Sequence, residues 1–183
     1  MFRSLAFAIP LGLFAMSAGA QNSDKNIDIQ SSVGDVHVGS DAEARDTGLP
    51  LYPGARLKHD EQNKNSANLG IFTAAFGFKL VVVNYDSDDS SEKIVAYYRK
   101  KLEKFGKVLE CHTSRHGDDV HVNDGDHDSD SKELKCDGDN SGSNIELKVG
   151  TEYNQHVVSI EPEAKGSSFA LVCLRARGKE GSI

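Results

Sequence analysis

Two consecutive stretches decide the fold: residues 68–85, NLGIFTAAFGFKLVVVNY, and residues 90–106, SSEKIVAYYRKKLEKFG. The first carries apolar, aromatic and β-branched side chains on both alternation phases, as expected of central strands covered on both faces. Gly77 marks a turn or bulge between two such strands. In the second, Ile94, Val95, Tyr98, Leu102 and Phe105 recur at helical spacing on one face, while Lys93, Arg99, Lys100, Lys101 and Lys104 point away or crowd the C-terminal half. Ser90 and Ser91 offer an N-cap, Glu92 suits the positive end of the helix dipole, and Gly106 ends the run. The spacing predicts one principal helix over about 90–105.

Beyond Gly106 the period returns to two. Residues 108–111, 134–136, 145–149, 156–160 and 169–174 read as strands, with turns at 137–143 and 150–154, and residues 56–59 suit a short strand before the decisive stretch. One helix among several strands predicts an α+β fold, a mainly antiparallel sheet with the helix packed on one face in two layers. A parallel βαβ fold would need alternating helices that the chain lacks. Pro50 and Pro53-Gly54 mark the entry to the domain, which is expected to span 48–176. Residues 21–47 read as a polar, partly disordered segment; Ile27, Ile29, Val33, Val36 and Val38 around Gly34-Asp35 could form a hairpin, marginal unless it docks on something. Residues 177–183 read as a flexible tail.

Residues 1–20, MFRSLAFAIPLGLFAMSAGA, have the form of a signal peptide: Arg3 as the positive n-region, an apolar run over 5–16, and Ala18-Gly19-Ala20 as the cleavage site. The apolar run falls short of the roughly 20 residues of a membrane span, so the mature chain, from about Gln21, is expected to be periplasmic or secreted with no stable membrane insertion. Export places three cysteines in an oxidising space. Cys111 and Cys136, each at the end of an expected strand, are the favoured disulfide; Cys173, inside an apolar run, reads as a buried free thiol. The 183 residues carry 28 acidic against 21 basic side chains, a formal charge of -7, which gives no electrostatic case for binding nucleic acid or an anionic surface.

The run Leu49-Pro50-Leu51-Tyr52-Pro53-Gly54-Ala55, the acidic Tyr85-Asp86 break leading into Tyr97-Tyr98, and Gly150-Thr151 with Asn154-Gln155-His156 resemble a group of uncharacterised exported bacterial proteins. The resemblance spans roughly 48–174. It implies a periplasmic or secreted bacterial α+β domain and carries over no catalytic or binding residue.

Residues 112–130 hold His112, His116, His121 and His127 with Asp124, Asp126 and Asp128 among other aspartates, the ligand types that zinc and copper select. Their spacing is irregular, and neither EF-hand-like opening is completed by the required Gly and Glu. A solvated hairpin loop, with no bound cofactor, is the plainer expectation. No Gly-x-Ser-x-Gly elbow or phosphate loop occurs. Three functions stay open: a non-enzymatic module binding a protein or envelope component, through the sheet face or through Tyr97 with Arg99 and Lys100; a metal-binding protein using the His/Asp loop; and a hydrolase in which His156 meets a nucleophile across the sheet.

Overall fold

The computed structural model of the chain describes residues 26–58, 66–114, 133–136 and 140–177. Within them lie strands β1 (Ile27–Ser31), β2 (Gly34–Gly39), β3 (Arg56–Leu57), β4 (Ser66–Thr73), β5 (Gly77–Ser87), β6 (Leu109–Thr113), β7 (Asn144–Thr151), β8 (Asn154–Pro162) and β9 (Ser167–Arg177). A single helix, α1 (Ser91–Leu102), continues into a 3-10 turn over Glu103–Phe105. All nine strands join one antiparallel sheet in the order β1-β2-β4-β5-β9-β8-β7-β6, with β3 pairing the end of β5 beyond β4.

Strand register sorts the side chains. Val81, Val83 and Tyr85 of β5 stand opposite Cys173, Leu171 and Phe169 of β9. These in turn face His156, Val158 and Ile160 of β8, and then Val149, Leu147 and Ile145 of β7. Directly opposite residues share a face, so this row is one continuous apolar surface. The helix closes it with Ile94, Tyr98 and Leu102, all fully buried, at about 1.5–3 kcal/mol for each side chain removed from water. Ala170, Val172 and Leu174 alternate to the other face of β9 and are buried there, as is Cys111 of β6, which is bridged to Cys136.

Three boundaries differ from the expectation. The sheet begins at Ile27, before Gly48: β2 pairs β4 over six residues, and Ala42, Ala44 and Thr47 enter the core. The polar composition of 21–47 concealed a hairpin that is stabilised by docking on β4. The turn between β4 and β5 falls at 73–76, closed by Thr73 N–H donating to Phe76 O, and Gly77 opens β5 instead of marking the turn. Residues 134–136 form no strand; a single bridge, Glu133 opposite Thr151, holds the segment beside the disulfide. Gly166 closes the β8–β9 turn at φ 86°, where a Cβ would stand 2.0 Å from the Ser87 carbonyl oxygen. Residues 1–20, expected to be a signal peptide, and residues 178–183 of the expected tail lie outside the described residues.

The disulfide encloses a sequence separation of 25 residues. Loop-closure entropy predicts that Cys111→Ser with Cys136→Ser costs about 3–4 kcal/mol, measurable as a lower urea midpoint. In the unreduced wild type, one thiol, that of Cys173, should react with a thiol reagent only after unfolding.

Candidate functional site

Residues 48–55 cross the helix side of the sheet as an irregular strap, and prolines 50 and 53 deny it two backbone donors. Its carbonyls are satisfied by tyrosines instead. Tyr98 Oη donates to Pro50 O at 3.1 Å and Tyr97 Oη to Leu51 O at 3.2 Å. Tyr52 Oη donates to Asp89 Oδ2 at 2.9 Å, and the same carboxylate accepts Lys93 Nζ at 2.6 Å. The Ala44 N–H donates to Tyr85 Oη at 3.0 Å. The rings pack edge-on or stacked, with Tyr52–Tyr97 centroids 5.1 Å apart and Tyr98–Phe169 and Tyr85–Phe169 each 5.6 Å. Burial, then the neighbouring Tyr97, pushes the Tyr98 hydroxyl far above the ordinary tyrosine range, and burial also raises Tyr85. Beside the strap lies a mostly apolar groove of about 460 Å³ lined by Leu49, Pro50, Leu51, Ala55, Leu57 and Tyr85, with Glu43 and Arg45 at its rim.

This arrangement gives the helix-edge candidates structural partners. Tyr97 is half-buried, its hydroxyl engaged by the strap and its ring under Lys101 Nζ at 5.2 Å. Arg99 is ion-paired to Glu110 of β6. Lys100 is exposed.

His112 lies on β6, with Nε2 3.5 Å from Glu110 Oε1 and its backbone N–H donating to Asn140 Oδ1. His116, His121, His127, Asp124, Asp126 and Asp128 lie outside the described residues. Among the described residues no three His, Cys, Asp or Glu side chains converge as a metal site would require.

His156 is buried on β8 directly opposite Cys173, with Phe105 stacked on its ring at 4.1 Å. No hydrogen bond joins the imidazole to that thiol, and Nδ1 is buried without a hydrogen-bond partner. Burial lowers the His156 pKa; the Arg175 and Lys104 charges lower it further, against a backbone hydrogen bond at Thr47 that raises it. The imidazole is therefore neutral and capped by Phe105, a packed core histidine in its environment.

The most distinctive surface lies on the hairpin of residues 27–39 and the strand it docks on. Ile27 and Ile29 of β1 stand opposite Val38 and Val36 of β2, which stand opposite Leu69 and Ile71 of β4. Leu80 and Phe78 of β5 continue the same face. Ile27 is 58% exposed, Ile29 56% and Val38 40%. The reverse face of these strands carries Asp28, Gln30, Asp35 and His37, with His37 Nδ1 2.6 Å from Asp28 Oδ1. The available signal was the shared alternation phase of residues 27, 29, 36, 38, 69 and 71, visible only once the strands are paired.

No protein-family model, curated protein or solved structure matches the chain. Among the described residues no helix is long and apolar enough to cross a membrane.

Two outcomes test this packing. Tyr98→Phe keeps the ring and leaves the Pro50 carbonyl without its donor, so it should lower stability by about 1 kcal/mol, whereas Tyr98→Ala should cost about 3–5 kcal/mol; denaturant unfolding measures both. For His156 the folded-state pKa lies below that of the unfolded chain, so the unfolded state takes up the proton first. Its contribution is present above about pH 6.5 and is lost as pH falls towards the folded value. Thermal unfolding between pH 7 and 5 should therefore lose less stability in His156→Gln than in the wild type. The carboxylates of Asp88 and Asp89, held low chiefly by hydrogen bonds from Arg56 and Lys93, lose their contribution only at more acidic pH.

Proposed function

We propose that the chain is a bacterial export product, processed near Gln21 to a periplasmic or secreted two-layer α+β module that binds an envelope component without catalysis. The observation that carries this reading is the apolar face of β1, β2 and β4, on which Ile27, Ile29 and Val38 are exposed among the described residues. Alternation puts isoleucine, valine and leucine on one side of three adjacent strands, while the other side carries acids, amides and histidine together with Phe72 at the β4 end. A contiguous exposed apolar patch on a folded domain marks an interaction surface. The partner chemistry that fits is apolar, such as the hydrocarbon-facing side of an envelope lipid or lipidated protein.

The non-catalytic part of the reading is supported by the environment of His156, neutral and capped by Phe105. It is also supported by the strap, whose tyrosine bonds fasten it down where a lid would need to move. The disulfide suits an oxidising compartment. The resemblance to exported bacterial α+β proteins is in keeping with it and assigns no activity. Zinc or copper capture by the His/Asp loop remains the second reading from ligand types alone.

The test is fractionation of cells producing the full chain. The wild type should be processed at Ala20-Gln21 and recovered mostly with the envelope. Ile29→Thr, Val38→Thr and Ile71→Thr together should move most of it to the soluble fraction without lowering the unfolding temperature by more than a few degrees. A wild type found entirely in the soluble fraction overturns the reading.

A further inference from the structure

The formal charge of the chain is negative, but the fold separates its signs along the strands. At one end of the sheet stand Asp86, Asp88 and Asp89, where β5 runs into α1, together with Glu161 and Glu163 at the end of β8. The opposite end collects cations. Lys79 of β5 lies directly across from Arg175 of β9, and Arg177 lies across from Gly77, one residue pair further out. Like charges placed directly opposite on neighbouring strands repel. Among the described residues, none of the three has a carboxylate partner. Lys104, at the end of the helix, points the same way, with Nζ 4.5 Å over the Phe105 ring. The described acids at this end are Asp35, Glu103, Glu152 and Glu133, the last bridged to Thr151.

Apolar side chains project from the turns at the same end. Val33 in the β1–β2 turn is 78% exposed, Phe72 and Phe76 flank the β4–β5 turn, and Tyr153 in the β7–β8 turn is 51% exposed. Register ties these turns to one rim: Gly34 faces Thr73, Gly77 faces Arg177, and Arg175 faces Asn154.

We propose that this rim, with Lys79, Arg175 and Arg177 between the exposed Phe72, Phe76 and Tyr153, docks the protein on an anionic phospholipid surface. The partner is extended, because the apolar tips belong to three hairpins lying across about six strand spacings, roughly 29 Å. A free phosphate would need a concave site, and the groove described above lies at the acidic end instead. Single aromatic and aliphatic side chains beside cations match a headgroup layer, in which the rings reach the acyl boundary while Arg and Lys meet phosphate. The opposite, acidic end then points away from the membrane, so the charge separation orients the molecule. This inference deepens the envelope reading by naming a partner, and it concerns a rim distinct from the apolar face that carries that reading.

The experiment uses the purified mature chain and sedimentation with vesicles of phosphatidylcholine, alone or with 30% phosphatidylglycerol. Binding should require phosphatidylglycerol and should fall steeply between 0.05 and 0.5 M salt. Lys79→Gln, Arg175→Gln and Arg177→Gln together should weaken it on the order of 100-fold, roughly fivefold per cation. The same charge change at the acidic end, Arg45→Gln with Arg56→Gln and Lys165→Gln, should leave it within about threefold of wild type, the attraction falling off within a Debye length. Because the chain has no Trp, Tyr153→Trp provides a reporter in a protein with every cation intact, and its emission should shift to the blue on anionic vesicles. Equal loss in both triple variants, an unshifted emission, displacement by millimolar inorganic phosphate, equal affinity for polyglutamate, or absence of binding to anionic vesicles would each overturn the proposal. Envelope recovery that survives the Lys79, Arg175 and Arg177 variant but is lost when the β1–β2–β4 face is altered would overturn the lipid rim while leaving the binding module standing.

Discussion

The eleven-pair ladder between β5 and β9 is the constraint on which the rest of the molecule depends. Its strands are separated by most of the domain, so no local turn sets their register, and closing so long a loop must be repaid by burial. The sequence supplies that burial on both sides. Val81, Val83 and Tyr85 meet Cys173, Leu171 and Phe169 beneath the helix, while Ala170, Val172 and Leu174 are buried on the reverse. A one-residue slip of β9 would exchange its two sets and move Arg175 and Arg177 onto the face opposite Lys79. Register, core and the position of the cationic rim are therefore one choice.

From this ladder the sheet grows in two directions with different chemistry. Towards β8, β7 and β6 the helix covers one face and the disulfide lies on the other, so both alternation phases are occupied. Towards β4, β2 and β1 the helix no longer reaches, one phase turns mostly polar, and among the described residues the apolar phase is exposed at Ile27, Ile29 and Val38. Arg99 paired to Glu110 ties the helix to β6, while the tyrosine-held strap seals the top of the core. These fastenings lie in the half that contains the helix. The other half is an amphipathic extension of the same sheet.

Legibility in the sequence followed the range of the determining interaction. The helix could be read because Ile94, Tyr98 and Leu102 repeat within one element, and the β7, β8 and β9 runs because alternation and turns are local. Cys111–Cys136 could be read as a pair because both residues flank the same polar excursion. The docked hairpin at 27–39 could not, since its apolar residues gain meaning only opposite Leu69 and Ile71. Gly77 misled for a related reason: the turn belongs to Thr73, whose hydroxyl and backbone hold Phe76. The roles of Tyr97 and Arg99 were equally hidden. Their polar groups are visible locally, but the Leu51 carbonyl and the Glu110 carboxylate reach them only after strap and β6 are in place.

The same reasoning explains why net charge is a poor guide to this protein's surface. A sum over residues treats Asp88 and Arg177 as cancelling, yet antiparallel pairing sets the ends of β5 and β9 so that acids gather where β5 leaves the sheet and cations where β9 leaves it. At physiological ionic strength the screening length is about 8 Å, well below the length of an eleven-residue strand, roughly 37 Å. An approaching surface therefore experiences one end at a time. For a partner near the rim of Lys79, Arg175 and Arg177, the molecule is locally cationic whatever its total charge, and the apolar tips beside those cations are presented to the same partner by the same turns.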